Sequence, residues 1–273
     1  MSFGASGLCL SFGGRQALRD VDLAIPTGQV TAIVGGDGAG KSSLLHCLAG
    51  TVAPDAGSIV RPDKRHLGSM PAQSGTWGDL TVDENLSFAA SAHGIASATF
   101  AERRDDLLER ATLTGARDRL ARDLSGGMRR KLGFIVAVLH RPELLLLDEP
   151  STGVDPVSRV ELWRLIAEAA ASGTAVAMAT TYLDEAERAS SVLVLDEGTV
   201  LADGPADAVV ASVPGRIVAT AAPTAEARAW RRGRAFHEWQ PSEGASGPDD
   251  AAPVDADLED AVIALMLARR EAA

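Results

Sequence analysis

The feature that most constrains the fold is a glycine-rich segment, GGDGAGKS, at residues 35–42. It follows QVTAIV at residues 29–34, a run typical of a buried strand, and it precedes residues 42–49, which are typical of a helix stopped by Gly50. The spacing G-x-x-x-x-G-K-[ST] between a strand and a helix predicts a phosphate-binding loop. In such a loop the glycines allow backbone N–H groups to converge on phosphate oxygens, and the helix directs its positive dipole end at the same anion.

Each position of this loop is a candidate phosphate ligand. Lys41 is expected to reach the β- and γ-phosphates, and the hydroxyl of Ser42 is expected to hold a magnesium ion. The alternative is a glycine-rich turn that matches by chance, and the strand and helix on either side argue against it. The predicted set is Gly35, Gly36, Asp37, Gly38, Ala39, Gly40, Lys41, Ser42 and Ser43. By itself the loop leaves kinases, GTPases, motors and transport ATPases open.

A second segment, LLLLDEP at residues 144–150, predicts where the acidic groups lie. Its continuous apolar run is typical of a strand covered on both faces, and the acids at its end would stand beside the phosphate loop. We expect Asp148 to hold the magnesium ion and Glu149 to accept a proton from the attacking water. The alternative is a pair of surface acids after a buried strand.

Composition limits the kind of protein that carries these segments. Of the 273 residues, 46% are apolar and 23% are charged, which is ordinary globular usage and argues against wholesale disorder. The 37 acidic residues outnumber the 26 basic ones, for a net charge of −11, so a nucleic-acid partner is not expected. Cys9 and Cys47 cannot form a disulfide framework and indicate a reducing compartment. No apolar run approaches the ~20 residues of a membrane-spanning helix, and no signal peptide is recognisable, which predicts a soluble intracellular protein.

The pattern of elements predicts an α/β fold with a mostly parallel sheet. A further strand is expected at residues 175–179 and a hairpin at residues 192–202. Between residues 79 and 141 the sequence has more charge and more helical periodicity, notably at residues 102–111 and 128–139. This stretch predicts a helical insertion that splits the α/β core.

The chain beyond residue 213 differs again in composition. Residues 240–253 are rich in Pro, Gly, Ser, Asp and Ala, and predict a flexible acidic linker. Residues 258–268 predict a short amphipathic helix. We therefore divide the chain into a main domain over residues 1–213 and a C-terminal extension over residues 214–273.

The segment LSGGM precedes the periodic helix of the insertion. Ser125 is a candidate helix N-cap, and the two glycines leave the helix N-terminus open to a phosphate. The same residues would also serve as a capping motif alone. The position of the segment, shortly before Asp148 and Glu149, favours the phosphate-binding role. The residues concerned are Leu124, Ser125, Gly126, Gly127 and Met128.

Taken together, these segments resemble the nucleotide-binding domain of ABC transporters. GGDGAGKSS, LSGGMRRKLG, LLLLDEP and STGVDP stand in the order and spacing of that family, and the resemblance covers about residues 3–214. The details LSGGMRRK, HRPELLLLDEP and YLDEAER are similar to ATPase subunits of ABC-2-type exporters, including drug-efflux systems. The fold implied is a P-loop NTPase. It has a RecA-like core with an antiparallel β subdomain, split by an ABC-type helical subdomain at about residues 79–141, and a small C-terminal appendage.

The resemblance also implies cofactors and partners. Two nucleotide-binding domains, identical or different, would close head to tail on two molecules of ATP, with Mg²⁺ at each site. Ser125 and Gly127 of one subunit would contact the γ-phosphate held by the other, and Asp155 would communicate between the sites. The helical subdomain would pass the motion to membrane-spanning subunits. The implied location is cytoplasmic, on the inner face of the cell membrane.

Three positions match the family pattern only in part. Phe12 stands where the family carries an adenine-stacking aromatic residue, and a plain apolar strand residue is the alternative. The Q-loop glutamine position falls on Ala72, and a one-residue loop shift could bring Gln73 to the magnesium ion and the water. Thr181 replaces the switch histidine, and threonine donates one hydrogen bond but carries no charge.

These departures leave two alternatives for activity. The site hydrolyses ATP slowly, or it mainly binds ATP while the site of a different partner, completed by the LSGGM of this chain, does most of the turnover. We favour slow hydrolysis because Glu149 is retained and the loss of one electrostatic contact typically costs ~10²–10³ in rate. Two further alternatives are an ABC-type ATPase with a regulatory or ribosome-associated role and a non-hydrolysing structural partner.

The sequence leaves the roles of two surface features undecided. Trp77 lies in the loop that enters the helical insertion, where it could anchor an interface or pack in the core of the domain. The basic cluster at residues 231–234, RRGR, could contact lipid headgroups, although a solvated face is the favoured interpretation.

Overall fold

A computed structural model describes residues 2–241 and 252–272 of the chain. In chain order the strands are β1 (Ser2–Phe12), β2 (Arg15–Pro26), β3 (Val30–Val34), β4 (Ala56–Val60), β5 (Leu67–Met70), β6 (Leu144–Asp148), β7 (Ala175–Ala179), β8 (Ser191–Asp196), β9 (Thr199–Gly204), β10 (Arg216–Thr220), β11 (Ala229–Arg232), β12 (Ala235–Gln240) and β13 (Ala252–Pro253). The α-helices are α1 (Lys41–Ala49), α2 (Val82–Ala92), α3 (Ser97–Arg110), α4 (Gly126–Val138), α5 (Pro156–Ala171), α6 (Leu183–Ala186), α7 (Ala206–Ala211) and α8 (Leu258–Ala272).

The central six-stranded sheet has the order β5-β6-β7-β3-β8-β9, and its pairs are parallel except for the β8–β9 hairpin. β3, β6 and β7 are buried along their whole length, as their continuous apolar sequences require. The strands predicted at residues 29–34, 144–147 and 175–179 are confirmed, and so is the hairpin. Because β3 leads through the glycine-rich loop to α1 and β6 ends at Asp148, the carboxyl edge of the sheet brings loop and acid together.

A three-stranded antiparallel sheet, in the order β2-β1-β4, packs beside α1. Burial alternates along the second half of β2, where Val21, Leu23 and Ile25 point inward. These side chains share an apolar cluster with Leu44 and Leu48 of α1. The antiparallel β subdomain that the resemblance implies is therefore present, and it buries one side of the helix that follows the glycine-rich loop.

Helices α2, α3 and α4 lie between β5 and β6 and form the helical insertion predicted at residues 79–141. α2 begins with a capping box, in which Thr81 Oγ1 accepts the Glu84 N–H at 3.1 Å and the Glu84 carboxylate accepts the Thr81 N–H at 2.7 Å. At α4 the predicted N-cap is confirmed, since Ser125 Oγ accepts the Met128 N–H at 3.2 Å. Such a cap stabilises a helix by about 1 kcal/mol.

The C-terminal extension contains a four-stranded sheet, in the order β11-β12-β10-β13, that the sequence did not predict. The linker predicted at residues 240–253 is wrong at both ends, because Gln240 belongs to β12 and Ala252–Pro253 forms β13. The middle of that linker, residues 242–251, lies outside the described residues. Strand sequences such as AWRR and AFHEWQ contain no long apolar run, and Pro253 indicates a loop, although an edge strand accepts proline.

The terminal helix α8 packs on the rest of the molecule. It extends to Ala272, beyond the predicted residues 258–268. Val262 and Leu265 share an apolar cluster with Val34 and Val194 of the central sheet, so the extension and the sheet are joined by a common core. Neither α8 nor any other helix of residues 2–241 and 252–272 is long and apolar enough to cross a membrane.

Polar contacts also join α8 to the C-terminal sheet. Asp260 is buried and accepts a hydrogen bond from Trp230 Nε1 at 3.0 Å. Arg232 of the predicted basic cluster forms ion pairs with Asp257 and Glu259. The solvated interpretation is therefore wrong for Arg232, because the acidic start of α8 neutralises it. Arg231 and Arg234 of the same cluster are exposed.

Candidate nucleotide site

The glycine-rich loop joins β3 to α1 and packs closely against neighbouring backbone. A Cβ atom at Gly35 would stand 2.1 Å from the Leu195 carbonyl oxygen, and one at Gly40 would stand 2.6 Å from that of Ala17. Both glycines have a positive φ, of 153° and 108°, which residues with a side chain rarely adopt. A Cβ atom at Gly36 would meet nothing within 4 Å. The loop is therefore tight towards the protein and open on its other side.

Lys41 provides the positive charge of this loop. Its side chain is buried, and Nζ donates hydrogen bonds to the carbonyl oxygens of Gly35 at 2.8 Å and Gly36 at 3.0 Å. No carboxylate of residues 2–241 or 252–272 forms an ion pair with it. A buried ammonium group without a counter-ion favours the binding of an anion, so the open side of the loop fits a phosphate.

Ser42 and Asp148 meet at the carboxyl edge of the sheet. The Ser42 hydroxyl donates to Asp148 Oδ1 at 3.2 Å, and Asp148 is 8% exposed. They are neighbours because β3 and β6 both pair with β7. A hydroxyl and a carboxylate are the hard oxygen ligands that Mg²⁺ prefers, so this pair fits the predicted magnesium ligands.

Glu149 stands at the turn that leaves β6. Its φ of 46° lies in the left-handed region, which is uncommon for residues other than glycine. The Glu149 N–H donates to the Ala179 carbonyl oxygen at 2.9 Å, and Oε2 accepts a hydrogen bond from Thr152 Oγ1 at 3.1 Å. These contacts hold both the backbone and the carboxylate of Glu149 at the end of the strand.

A cleft of about 620 Å³ opens over the loop. Residues 37–43 line it together with Phe12 and Glu149, so the structure brings the predicted stacking residue, phosphate loop and acid to one place. Phe12 is 51% exposed, which leaves its ring accessible to a base. Glu197, which the sequence analysis did not single out, lines the same cleft from the β8–β9 hairpin. The volume is within the range of about 300–1,000 Å³ that is usual for ligand pockets.

Gln73 and Thr181 do not line this cleft, and both are exposed. Gln73 lies in the turn that follows β5. Beside Thr181, the hydroxyl of Thr180 is buried and donates to Glu185 at 3.1 Å.

Glu185 is a buried acid that the sequence analysis missed. It is 4% exposed, accepts hydrogen bonds from Ser151 Oγ at 2.8 Å and Thr180 Oγ1 at 3.1 Å, and pairs with Arg159 Nε at 3.2 Å. These contacts join the turn after β6, the turn after β7 and α5. The acid within YLDEAER was the available signal, but its burial is a property of the packed structure.

The signature segment at residues 124–128 lies outside the cleft. Leu124 and Gly127 are buried, Met128 is half-buried, and Ser125 and Gly126 are exposed. A Cβ atom at Gly127 would stand 2.6 Å from Ser158 Oγ, so this segment packs against the start of α5.

Asp155 caps α5 beside the signature segment. Its Oδ1 accepts the Ser158 N–H at 3.0 Å, and hydrogen bonds from Ser158 lower the pKa of the exposed Asp155 carboxyl. Asp155 thus remains anionic at neutral pH. The signature segment and Asp155 form one surface, separate from the nucleotide cleft of the same chain.

Arg130 of α4 is a second residue that the sequence analysis missed. Its Nη2 donates to the Thr152 carbonyl oxygen at 3.4 Å, and its buried Nη1 has no hydrogen-bond acceptor among the described residues. Burial lowers the pKa of Arg130, while attraction to Glu149 and Asp148 opposes that shift. The Arg130 guanidinium group is therefore close enough to the two acids of the site for electrostatic attraction. The run RRK is visible in the sequence, but the sequence does not show which of its members lies near the acids.

Residues 18–152 match the family model described as ABC transporter. The daunorubicin resistance ATP-binding protein DrrA3 of Streptomyces coeruleorubidus is 34% identical over 215 residues, which cover 75% of this chain and 68% of that protein. This chain belongs to the ABC transporter ATP-binding proteins. The family is one of ATPases.

Two other relatives and a solved structure support the assignment of this chain to the ABC transporter ATP-binding proteins. The probable multidrug ABC transporter ATP-binding protein YbhF of Escherichia coli (strain K12) is 40% identical over 223 residues, and the match covers 77% of this chain but only 39% of that protein. The Nod factor export ATP-binding protein I of Cupriavidus metallidurans is 35% identical, with 71% of this chain and 67% of that protein covered. A solved ATP-binding subunit of an ABC transporter has a TM-score of 0.71 at 28% identity and covers 77% of this chain and 92% of that one.

Proposed function

We propose that this ABC ATPase binds and hydrolyses ATP to power a membrane exporter. The observation that carries the proposal is the common cleft of the phosphate loop and Glu149. The names of the relatives support the export role, because they refer to multidrug transport, daunorubicin resistance and Nod factor export.

The loop side of the cleft binds the nucleotide. Backbone N–H groups of the loop and the Lys41 ammonium group bind the phosphates, and the dipole of α1 adds to their attraction. Phe12 stacks on the adenine ring at the other end of the cleft. Tight packing at Gly35 and Gly40 keeps these donors in place before ATP binds, so little reorganisation is needed.

The edge of the sheet provides the chemistry. Ser42 and Asp148 hold Mg²⁺, which when bound neutralises charge on the phosphate oxygens; Gln73 joins them only if its turn moves towards the cleft. Glu149 orients a water molecule and accepts its proton. Oε2 of Glu149 is held by Thr152, while Oε1 accepts no hydrogen bond from the described residues and is free for the water. Arg130 attracts the two acids electrostatically.

The partners follow from the surfaces outside the cleft. The signature segment and Asp155 complete the nucleotide site of a second ABC ATPase, identical or different, which explains why they face away from the cleft of their own chain. Trp77 and Phe88 form an exposed aromatic pair, with ring centroids 4.4 Å apart, on the helical subdomain. This pair contacts membrane-spanning subunits, and the ABC ATPase is located in the cytoplasm on the inner face of the cell membrane.

One observation favours a second candidate function. Gln73 and Thr181 are exposed and do not line the cleft, so neither side chain is held where the γ-phosphate and the water would lie. A chain of this kind would serve mainly as the ATP-binding partner in a heterodimer, and its signature segment would complete the active site of the other subunit.

The decisive measurement is the ATPase rate of the purified chain beside that of a Glu149→Gln variant. We expect the variant to lose ~10²–10³ in rate and to bind a fluorescent ATP analogue as tightly as the parent, because only the proton acceptor is removed. Glu226→Gln, which changes an exposed acid far from the cleft in sequence, is the matched control and should leave the rate unchanged. Equal rates for parent and Glu149→Gln would overturn hydrolysis by this site and favour the second candidate.

The export role needs a separate experiment. The tagged chain is expressed in its own cells and purified from membranes solubilised in detergent. We expect a membrane-spanning subunit to co-purify with the parent chain, and a double variant, Trp77→Ala with Phe88→Ala, to lose it while the ATPase rate stays within about twofold. Recovery of the parent chain without any membrane protein would contradict the proposal.

A further inference from the structure

A second cleft, of about 450 Å³, lies between α3, the end of α4 and α5. It is separate from the nucleotide cleft, with which it shares no lining residue. Its apolar lining includes side chains from all three helices, namely Leu107, Phe134, Val138, Leu165 and Ala169. We call this cavity the α3–α5 cleft.

The acidic side chains of the α3–α5 cleft are already paired. Asp106 pairs with Arg110 at 3.0 Å, and Glu168 pairs with Arg164 at 3.2 Å. Glu143 pairs with His66 at 3.3 Å. Two of the three acids that line this cleft, Asp106 and Glu168, are therefore paired with arginine.

Two arginines of the α3–α5 cleft are not paired in this way. Arg103 and Arg141 line it, and neither forms an ion pair with a carboxylate of the described residues. Arg103 Nη1 donates to the Leu139 carbonyl oxygen at 3.2 Å, but its Nε is buried and has no acceptor among residues 2–241 and 252–272. Burial and repulsion by Arg141 lower the pKa of Arg103, and the attraction of Glu102 opposes them only weakly. Two like charges and an unmet donor thus stand beside a cavity that also has an apolar part, lined by side chains of three helices.

We propose that the α3–α5 cleft binds a small amphipathic anion, a carboxylate or phosphate carried on an apolar body. The acidic group pairs with the guanidinium groups of Arg103 and Arg141 and relieves the repulsion between them. The apolar body occupies the space lined by Phe134, Val138 and Leu165. The cavity is within the size range of about 300–1,000 Å³ that small-molecule sites have.

Such a ligand would connect two parts of the ABC ATPase. Arg103 belongs to the helical subdomain, and Arg141 lies three residues before β6, the strand that ends at Asp148. Because one acidic group would be bound by both arginines, the ligand would hold the helical subdomain against the core. The binding site itself does not depend on the proposed export function.

Decanoate is a suitable probe because it combines a carboxylate with an unbranched apolar chain. Its binding to the full chain is measured by isothermal titration calorimetry, below its micellar concentration and with Mg²⁺ and ADP saturating the nucleotide cleft. We expect one decanoate to bind for each chain. Decanol, which lacks the charge, and acetate, which lacks the apolar body, should each bind at least tenfold more weakly.

Variants identify the site. The double variant Arg103→Gln with Arg141→Gln should bind decanoate at least tenfold more weakly, and Arg103→Lys with Arg141→Lys should recover most of that loss because charge is restored. The control, Arg234→Gln with Arg270→Gln, removes two exposed arginines outside the cleft and should bind as the parent does. Thermal unfolding verifies that each variant is folded. Unchanged affinity in the Gln double variant, equal binding of decanol and decanoate, or no binding of decanoate by the parent would overturn the proposal.

Discussion

The two sides of the nucleotide cleft are built in different ways. On one side, Lys41, Ser42 and Asp148 are attached to the central sheet or to the first turn of α1, and each is held by hydrogen bonds within the core. The γ-phosphate side has no such support from Gln73 and Thr181, which stand on exposed turns and do not line the cleft. The binding side is therefore held by hydrogen bonds within the fold, whereas neither of these two side chains is held against the cleft.

The largest effect is expected from Lys41→Ala, which removes the buried charge of the binding side. Hydrolysis should fall by ~10²–10³, and the affinity for ATP should fall with it, because the proposed role of Lys41 is to bind phosphate in the ground state and more strongly in the transition state. Lys64→Ala, at an exposed lysine far from the cleft in sequence, is the control. Steady-state ATPase assays and nucleotide titrations measure both quantities. A loss of less than tenfold in both rate and affinity would contradict the role of Lys41 as the main charge of the binding side.

A smaller effect is expected from Phe12→Ala. A stacked ring contributes about 0.5–1.5 kcal/mol beyond its burial, so KM for ATP should rise by about 2- to 10-fold while kcat stays nearly constant. Phe12→Tyr, which keeps a stacking ring, should behave as the parent does. A fall in kcat with unchanged KM would contradict the stacking role and place Phe12 among purely structural strand residues.

Arg130→Gln tests whether the positive charge of Arg130 supports the function of Asp148 and Glu149. A partly buried electrostatic contact is worth about 1 kcal/mol, so kcat should fall by about fivefold with little change in KM. Arg130→Lys, which keeps the positive charge, should recover part of the rate. An equal loss in both variants, accompanied by a lower unfolding temperature, would show that Arg130 acts through packing and not through Glu149.

The smallest effects are expected from substitutions of Gln73 and Thr181. Gln73→Ala and Thr181→Ala should each change the ATPase rate of the isolated chain by less than about twofold, because exposed side chains without partners contribute little. Repeating the assay with the purified partner subunits tests whether Gln73 and Thr181 contribute to hydrolysis only in the assembled transporter. A tenfold loss for Gln73→Ala in the isolated chain would contradict this expectation, since it would require the turn of Gln73 to reach the cleft during catalysis.

Much of the site could be predicted from local sequence because its parts are local. A glycine-rich loop between strand and helix, an apolar strand ending in acids, and a serine before two glycines each predict their own geometry, and the cap at Ser125 was confirmed. The C-terminal sheet could not be predicted in the same way. Its strands are short and half-polar, and they are stabilised by contacts with α8 that are distant in sequence, such as those of Asp260.

The sequence by itself determined the family, the phosphate loop and the order of the main strands and helices of the core, because these depend on spacing along the chain. Only the tertiary structure decided which side chains share the cleft, since that depends on the order of strands in the sheet and on burial. It placed Phe12 and Glu149 on the lining of the cleft, left Gln73 and Thr181 off that lining, and brought Arg130 within electrostatic reach of the acids. Solvent exposure is a property of the packed whole, so no local pattern could have separated these residues.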